Sequence, residues 1–378
     1  MKAKNKVLCF LLFFLAIMIV CFVAFRTIYD KNFNVAYDFE STEEEIIRVP
    51  LEIDGLHSFV YLYNEDIIYQ TIEETTTTFY RYNIQTDTVK RYEPIANYFM
   101  NGKSTAFVGN ELFFYVTVLQ KSGELENRLY SIDFDRDTLE LVLTDSSSVH
   151  IFPMTAINND LLSLRTNIEN GKSAGTTDVV SFEPDTRQEQ EVISNYIDYQ
   201  NTSGKVMINI SSSNDKLYVL TEIGESGNAY SVIEVFDAQY KLIETIPVTA
   251  IENYVNQPLS DFRVIGDYLF INTASNNAVI AKIIGNQLEV VLEETQIDLA
   301  TCQSSEKSDR YIFFKRQTNM CYLLDETLGL STTTLELDES GVIRCLLANK
   351  NGVLVVLNNV DKQGNLNSEV IYYIHCNA

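Results

Sequence analysis

A short polar turn recurs along this chain, each time just ahead of an apolar run. It reads Asn64-Glu65-Asp66, Asn110-Glu111, Asn159-Asp160, Asn214-Asp215, Gly266-Asp267, Ser308-Asp309 and Asn351-Gly352. Counted from Asp66, the later turns follow at 45, 49, 55, 52, 42 and 43 residues. Small polar residues and glycine tolerate the left-handed backbone that tight hairpins demand. Runs rich in β-branched and aromatic residues flank the turns, with Phe59-Val60-Tyr61-Leu62 before the first and Ile67-Ile68-Tyr69 after it. Leu112–Tyr115, Leu217–Leu220 and Tyr311–Phe314 follow other turns in the same way. A third run, such as Arg128–Ile132, and a fourth, such as Val89–Tyr92, complete the unit. Helical periodicity is confined to Ala250–Asn256 and Ile193–Tyr199, each long enough for a turn or two. Four short strands repeated every 40 to 50 residues or so are the signature of propeller blades.

The last unit stops after its third strand, Val370–Ile374, whereas Glu45–Ile53 is a strand with no partner in the first unit. Pairing the two closes a ring and removes its free edges. Pro50 has no N–H to donate and suits the outermost, edge position. The expectation is therefore an all-β, seven-bladed β-propeller of four-stranded antiparallel blades, closed by the N-terminal strand. It occupies residues 44–378, or about 48 residues for each blade. Two β-sandwich domains are the competing architecture. An apolar content of 46% is that of a folded chain and excludes disorder.

The segment Leu129-Tyr130-Ser131-Ile132-Asp133, followed by a polar turn and an apolar strand, carries a family resemblance. It resembles bacterial β-propeller families related to the YWTD repeats of lipoprotein receptors and to periplasmic TolB-type repeats. The motifs are degenerate: no literal YWTD occurs, and Val179–Glu191 follows the pattern loosely. The resemblance implies an architecture and not one activity.

Ahead of the repeats, Val7–Phe25 is a run of nineteen uncharged, mostly apolar residues. As a helix rising about 1.5 Å per residue it matches a bilayer core of about 30 Å. Lys2, Lys4 and Lys6 precede it and acidic residues follow Arg26, so the positive-inside rule places residues 1–6 in the cytoplasm and the body outside. A cleaved signal peptide needs small residues at −3 and −1 of the cut. Cuts after Ala24 or Ala16 put Phe22 or Phe14 at −3, and the bulky Met18-Ile19-Val20 disfavours lipidation at Cys21. The segment reads as an uncleaved transmembrane signal anchor over residues 7–25, with a polar stalk over 26–43. A sensory ectodomain is disfavoured, because the cytoplasmic tail has no room for an output domain.

Net charge is −24, and the body without Lys2, Lys4, Lys6 and Arg26 is more acidic still. Such a surface repels phosphate backbones, which argues against nucleic acid as a partner.

Candidate chemistry is sparse. His57, His150 and His375 stand alone, without the spacing of a metal site, and read as solvated or hydrogen-bonded side chains. Gly171-Lys172-Ser173 lacks the upstream glycine of a phosphate loop, since residue 166 is Thr, and reads as a loop. Gly171–Gly175 (GKSAG) has the Gly-x-Ser-x-Gly spacing, but no strand–turn–helix pattern surrounds it, so it lends no support to a nucleophile elbow. Asp133, Asp135 and Asp137 have plausible calcium spacing but lack the turn glycine and distal glutamate, so a hairpin turn is favoured over a cation site. Cys302 and Cys345 fall on inner strands, Cys321 and Cys376 on third strands. Strands two positions apart lie too far from each other for a disulfide, so these thiols are expected to pack as small hydrophobes. No catalytic, cofactor-binding or metal-ligating residue emerges, and no cofactor is expected.

Between second and third strands, residues 120–127, 167–177 and 359–367 read as long polar loops and 274–277 as a short one. In propellers these loops share one face with the blade-to-blade connections. The leading expectation is a non-catalytic binding or scaffold module at the cell surface, taking a protein, peptide or glycan partner on one face. The alternative is an extracytoplasmic carbohydrate-active hydrolase or lyase using channel carboxylates, which needs acids, histidines and aromatics from three or more blades in one pocket.

Overall fold

The computed structural model describes residues 46–375 apart from short stretches, of which 252–258 and 335–341 are the longest. It is an all-β propeller of antiparallel sheets arranged in chain order. The first blade is formed by Leu56–Tyr63, Asp66–Glu73, Thr76–Asn83 and Thr88–Arg91, from the inner strand outward. Residues 105–145, 148–198, 205–247 and 259–295 repeat that order in the second to fifth blades. In the closing blade, Val342–Ala348, Gly352–Val360 and Leu366–His375 take Ile46–Val49 as their outer strand.

That last pairing runs from Ile46 opposite Ile374 to Val49 opposite Ile371. The ladder ends at Val49, four residues short of the expected strand end at Ile53, because Pro50 cannot donate to it. Each recurrent polar turn among the described residues falls at, or one residue before, the start of a second strand. The backbone there is left-handed, with φ of 53° at Asn64, 70° at Asn159, 51° at Asn214 and 55° at Gly266. The residue types of the repeat thus follow from the turn they make.

The expected count of seven blades is corrected to six complete ones among the described residues. The sheet within 297–334 has three six-residue strands, Arg310–Lys315, Met320–Asp325 and Gly329–Thr334, but only a two-residue inner one, Ile297–Asp298. The continuation of that inner strand, Cys302–Gln303, leaves the sheet and pairs in parallel with Leu346–Leu347 of the closing blade. Its sequence explains the defection. From Gln303 to Asp309 the chain reads QSSEKSD, which offers no alternating apolar face to hold an inner strand in place.

One other expectation changes, and one lies outside the described residues. Ile193–Tyr199 is not helical: Gln188–Asp198 is one outer strand, whose register shifts around Asn195 (φ 47°). The Asp178 carboxylate accepts the Asn195 amide at 2.8 Å and supports that irregularity. The membrane span expected at Val7–Phe25 lies outside the described residues, and among those described no helix is long and apolar enough to cross a membrane.

Apolar clusters shared by neighbouring blades form the core. Phe79 of the first blade meets Phe114 of the second with ring centroids 4.7 Å apart, and Tyr61 stacks on Phe107 at 5.4 Å. Leu162 and Val179 pack with Val219 across the third and fourth blades, and Ile233 with Ile271 across the fourth and fifth. Leu62 and Tyr82 of the first blade share a cluster with Leu354 and Tyr373 of the closing blade, completing the circuit.

Two substitutions test this packing. Phe114 is fully buried, so Phe114→Ala should cost about 3–5 kcal/mol. Urea unfolding should show a lower midpoint with an unchanged slope. At Gly352 a Cβ would lie 2.6 Å from both the Ile374 carbonyl oxygen and the Tyr373 ring. Gly352→Ala should therefore destabilise by about 1–3 kcal/mol despite adding a single methyl.

Candidate functional site

Antiparallel blades give the molecule two different faces. Hairpins between second and third strands emerge on one face, together with the connections into the next blade. Turns between first and second strands, and between third and fourth, emerge on the other.

Polar groups of the turn face are committed to holding neighbouring blades together. Asp137 accepts from Arg81 at 3.2 Å, Lys90 at 2.7 Å and the Tyr92 hydroxyl at 3.0 Å, all from the first blade. Burial alone would push the Asp137 carboxyl up, but those donors hold it below its ordinary value. Asp133 accepts the backbone amides of Asp135 and Arg136 at 2.9 Å, while Asp135 accepts from Asn110 at 2.6 Å. The aspartates with calcium-like spacing are thus turn and cross-blade ligands, as the hairpin reading expects. Asn349 donates to the carbonyls of Leu62 and Asn64 at 3.2 and 2.7 Å, Arg187 to Glu140 at 2.7 Å, and the Gly266 amide to Ser213 at 2.9 Å.

The hairpin face is built differently. Residues 167–177, expected as a loop, are largely strand: the hairpin stays paired out to Ile168 opposite Ser173 and Glu169 opposite Lys172. Lys172 and Ser173 therefore belong to a hairpin tip and not to a phosphate-loop-like turn. Pairing likewise extends to Leu119 opposite Leu125 and to Val360 opposite Leu366. The connection at 274–277 is short, as expected, since strands end at Thr273 and resume at Asn277. Polar residues on these arms satisfy their backbones through the partner strand, which lets the hairpins project as ladders.

One polar cluster spans the joint between the first and closing blades, at the hairpin end. His57 is the second residue of the first inner strand, Arg344 lies near the start of the closing inner strand, and Glu369 near the start of the closing third strand. The His57 Nδ1 is 3.0 Å from the Gly55 carbonyl oxygen, and its Nε2 is 2.9 Å from Glu369 Oε1. Both partners are acceptors, so the ring satisfies both only as the doubly protonated imidazolium. A neutral ring with its proton on Nδ1 has Nε2 left to accept from Arg344 Nη1, 3.2 Å away. Arg344 also donates to the Glu369 carboxylate and, at 2.8 Å, to the His57 carbonyl.

The hydrogen bond to Glu369 is the largest influence on His57 and raises its pKa above 6.5, against the opposing effect of burial. Burial would push the Glu369 carboxyl up, but the His57 bond and the Arg344 charge hold it below 4.5. Neither Arg344 nor Glu369 was singled out in the sequence. His57 and Glu369 are 312 residues apart, and nothing local marks either one.

The remaining candidates disperse. His375 packs edge-on to Tyr373 at 4.8 Å, and His150 lies on the third inner strand, Ser148–Ile157. Cys345 is buried within the apolar cluster between the closing and first blades, as a small hydrophobe. Cys302 and Cys321 lie on separate strands, and Cys376 is outside the described residues. Two further half-buried clusters escaped the sequence reading. Arg165 bridges Asp178, Glu189 and Glu191 at 3.2, 2.9 and 3.0 Å within the third blade, and burial pushes Glu189 up. Lys205 binds Glu234 at 2.9 Å and lies 4.1 Å from the centroid of the Tyr196 ring, joining the third and fourth blades. Among the described residues no group of acids, histidines or cysteines is arranged to hold a metal ion.

The His57 joint makes stability depend on pH with a defined sign. A histidine raised above 6.5 contributes stability fully below that value and loses it as pH rises through the folded-state pKa. A glutamate held below 4.5 contributes above that value and loses its share as pH falls. The joint is therefore strongest between about pH 4.5 and about pH 6.5. The melting temperature of the intact protein should fall from about pH 6.5 to about pH 8, and His57→Gln should flatten that slope. An unchanged slope in the variant would remove the joint as its source.

No family model matches the chain, and no curated protein matches it. Solved structures do. An acylaminoacyl peptidase in complex with Z-Gly-Gly-Phe-chloromethyl ketone superposes with a TM-score of 0.52 at 11% identity, covering 84% of this chain and 51% of that one. The chain thus spans about half the length of that peptidase. The β-propeller domain of the Trilobed protease from Pyrococcus furiosus gives 0.48 at 11% identity over 84% of this chain and 94% of that one. A streptogramin B lyase gives 0.46 at 12% identity over 88% and 98%. At these identities the likeness is one of fold: the chain is a β-propeller.

Proposed function

We propose that this protein is an extracytoplasmic binding or scaffold module, held at the membrane by Val7–Phe25, with residues 1–6 in the cytoplasm. It takes a protein or peptide partner on its hairpin face. The carrying observation is the contrast between the two faces. On the turn face Asp137, Asn349, Arg187 and Ser213 are committed to neighbouring blades. On the hairpin face, paired arms extend to Glu169–Lys172 and Val360–Leu366, and Leu56, Ile72 and Tyr230 stand exposed. Ordered arms with exposed apolar residues supply contact area at low entropic cost on binding.

The test has two arms. Protease added outside intact cells should degrade the body while sparing internal proteins; a protected body would overturn the placement. Partners cross-linked to the intact chain should be lost when residues 168–173 are removed and retained in Asn351→Ser, a turn-face change. Loss in the second variant only would reverse the assignment of faces. Glycan turnover by the purified chain would instead favour the carbohydrate-active hydrolase or lyase.

A further inference from the structure

An incompletely covered row of side chains crosses the hairpin end of the first blade. Leu56 is opposite Ile72, Ile72 opposite Thr77, and Thr77 opposite Ile95. Directly opposed residues of an antiparallel ladder project to the same side, so these four share one surface. The outer half is sealed: Thr77 is 1% and Ile95 4% exposed, with Ile95 in the cluster that holds Val116 and Val118 of the second blade. The inner half is open, with Leu56 67% and Ile72 37% exposed.

Leu56 is the most exposed of the large apolar residues described, and most of the others, such as Val89, Leu141 and Leu242, lie on outer strands. Leu56 and Ile72 instead form a ledge near the inner strands. In the neighbouring second blade the inner edge is divided between two short strands, Tyr98–Phe99 and Thr105–Val108.

Beyond the His57–Arg344 joint, the exposed charge next to the ledge in the chain is acidic. Asp54 and Glu74 are exposed, and neither forms an ion pair among the described residues. Arg344, at the same corner, has its guanidinium engaged by Glu369 and the His57 carbonyl. Aliphatic area with exposed, unneutralised carboxylates on neighbouring residues is complementary to a segment with the opposite pattern.

We propose that the Leu56–Ile72 ledge is a docking site for a basic, apolar peptide segment, with an aliphatic or aromatic side chain flanked by lysine or arginine. The proposal rests on the hairpin-face reading and names the partner chemistry for that face. The apolar side chain lies on Leu56 and Ile72, while its basic neighbours meet Asp54 and Glu74.

The test uses the purified full chain in nanodiscs of zwitterionic lipid. The probe is a short fluorescein-labelled peptide of alternating lysine and leucine, followed by anisotropy at low and high salt. Lysine–serine and glutamate–leucine peptides serve as controls. The lysine–leucine peptide should bind more tightly than either control. Leu56→Ser combined with Ile72→Thr should weaken it about tenfold. Asp54→Asn with Glu74→Gln should weaken it at low salt and reduce its salt dependence. Leu242→Ser, on an outer strand, should have no effect, and melting curves should confirm that every variant is folded. Absence of binding, equal binding of a control peptide, or indifference to the Leu56 and Ile72 changes would overturn the proposal. Binding that ignores those changes but disappears on removing residues 168–173 would refute the ledge and leave the hairpin-face reading standing.

Discussion

Four residues hold this ring shut. Ile46–Val49 joins Ile371–Ile374 as the outer strand of the closing blade, and without it the third strand would present a free edge along a sheet. A ladder of that length is weak alone. It is reinforced by contacts on the adjoining first blade: the Leu62, Tyr82 and Leu354 cluster in the interior, Asn349 on the turn face, and His57 with Glu369 on the hairpin face. Covalent order places these groups at opposite ends of the described chain, so closure is also what brings His57 and Glu369 together.

Closure also divides labour between the two faces. Turns on one side have short, fixed geometry, and their polar groups reach the neighbouring blade. Hairpins on the other side grow outward without disturbing the joints, because each is braced by its own ladder. A surface free to vary therefore rests on one that is not, which is the physical basis for placing recognition on the hairpin side.

How much of this was legible in the residues depended on whether the cause was local. The turns were legible because a left-handed backbone selects Asn and Gly at Asn64, Asn214 and Gly266. The spare strand at Ile46 was legible because the final unit lacks one. The incomplete sheet was not, since Ser308-Asp309 keeps the repeat in sequence while Cys302–Gln303 pairs with the closing blade instead. Residues 167–177 look like a loop because they are polar, yet backbone pairing continues to Glu169 opposite Lys172 whatever the polarity of the side chains. Arg344 and Glu369 could not be found from spacing, as their meaning depends on a contact across the closing joint. Nor could the ledge at Leu56, whose exposure no local residue pattern marks.

The closing ladder has a consequence in time. Ile46–Val49 is made early and its partner strand only after some 320 further residues. Throughout synthesis the first strand has nowhere to go, and the first blade waits with one flank uncovered. Contacts this distant in sequence are slow to form, because the loop must close before they reward it. Completion of this fold is therefore a late, single event set by the last strand to appear, and the chain is most exposed to misassociation just before it.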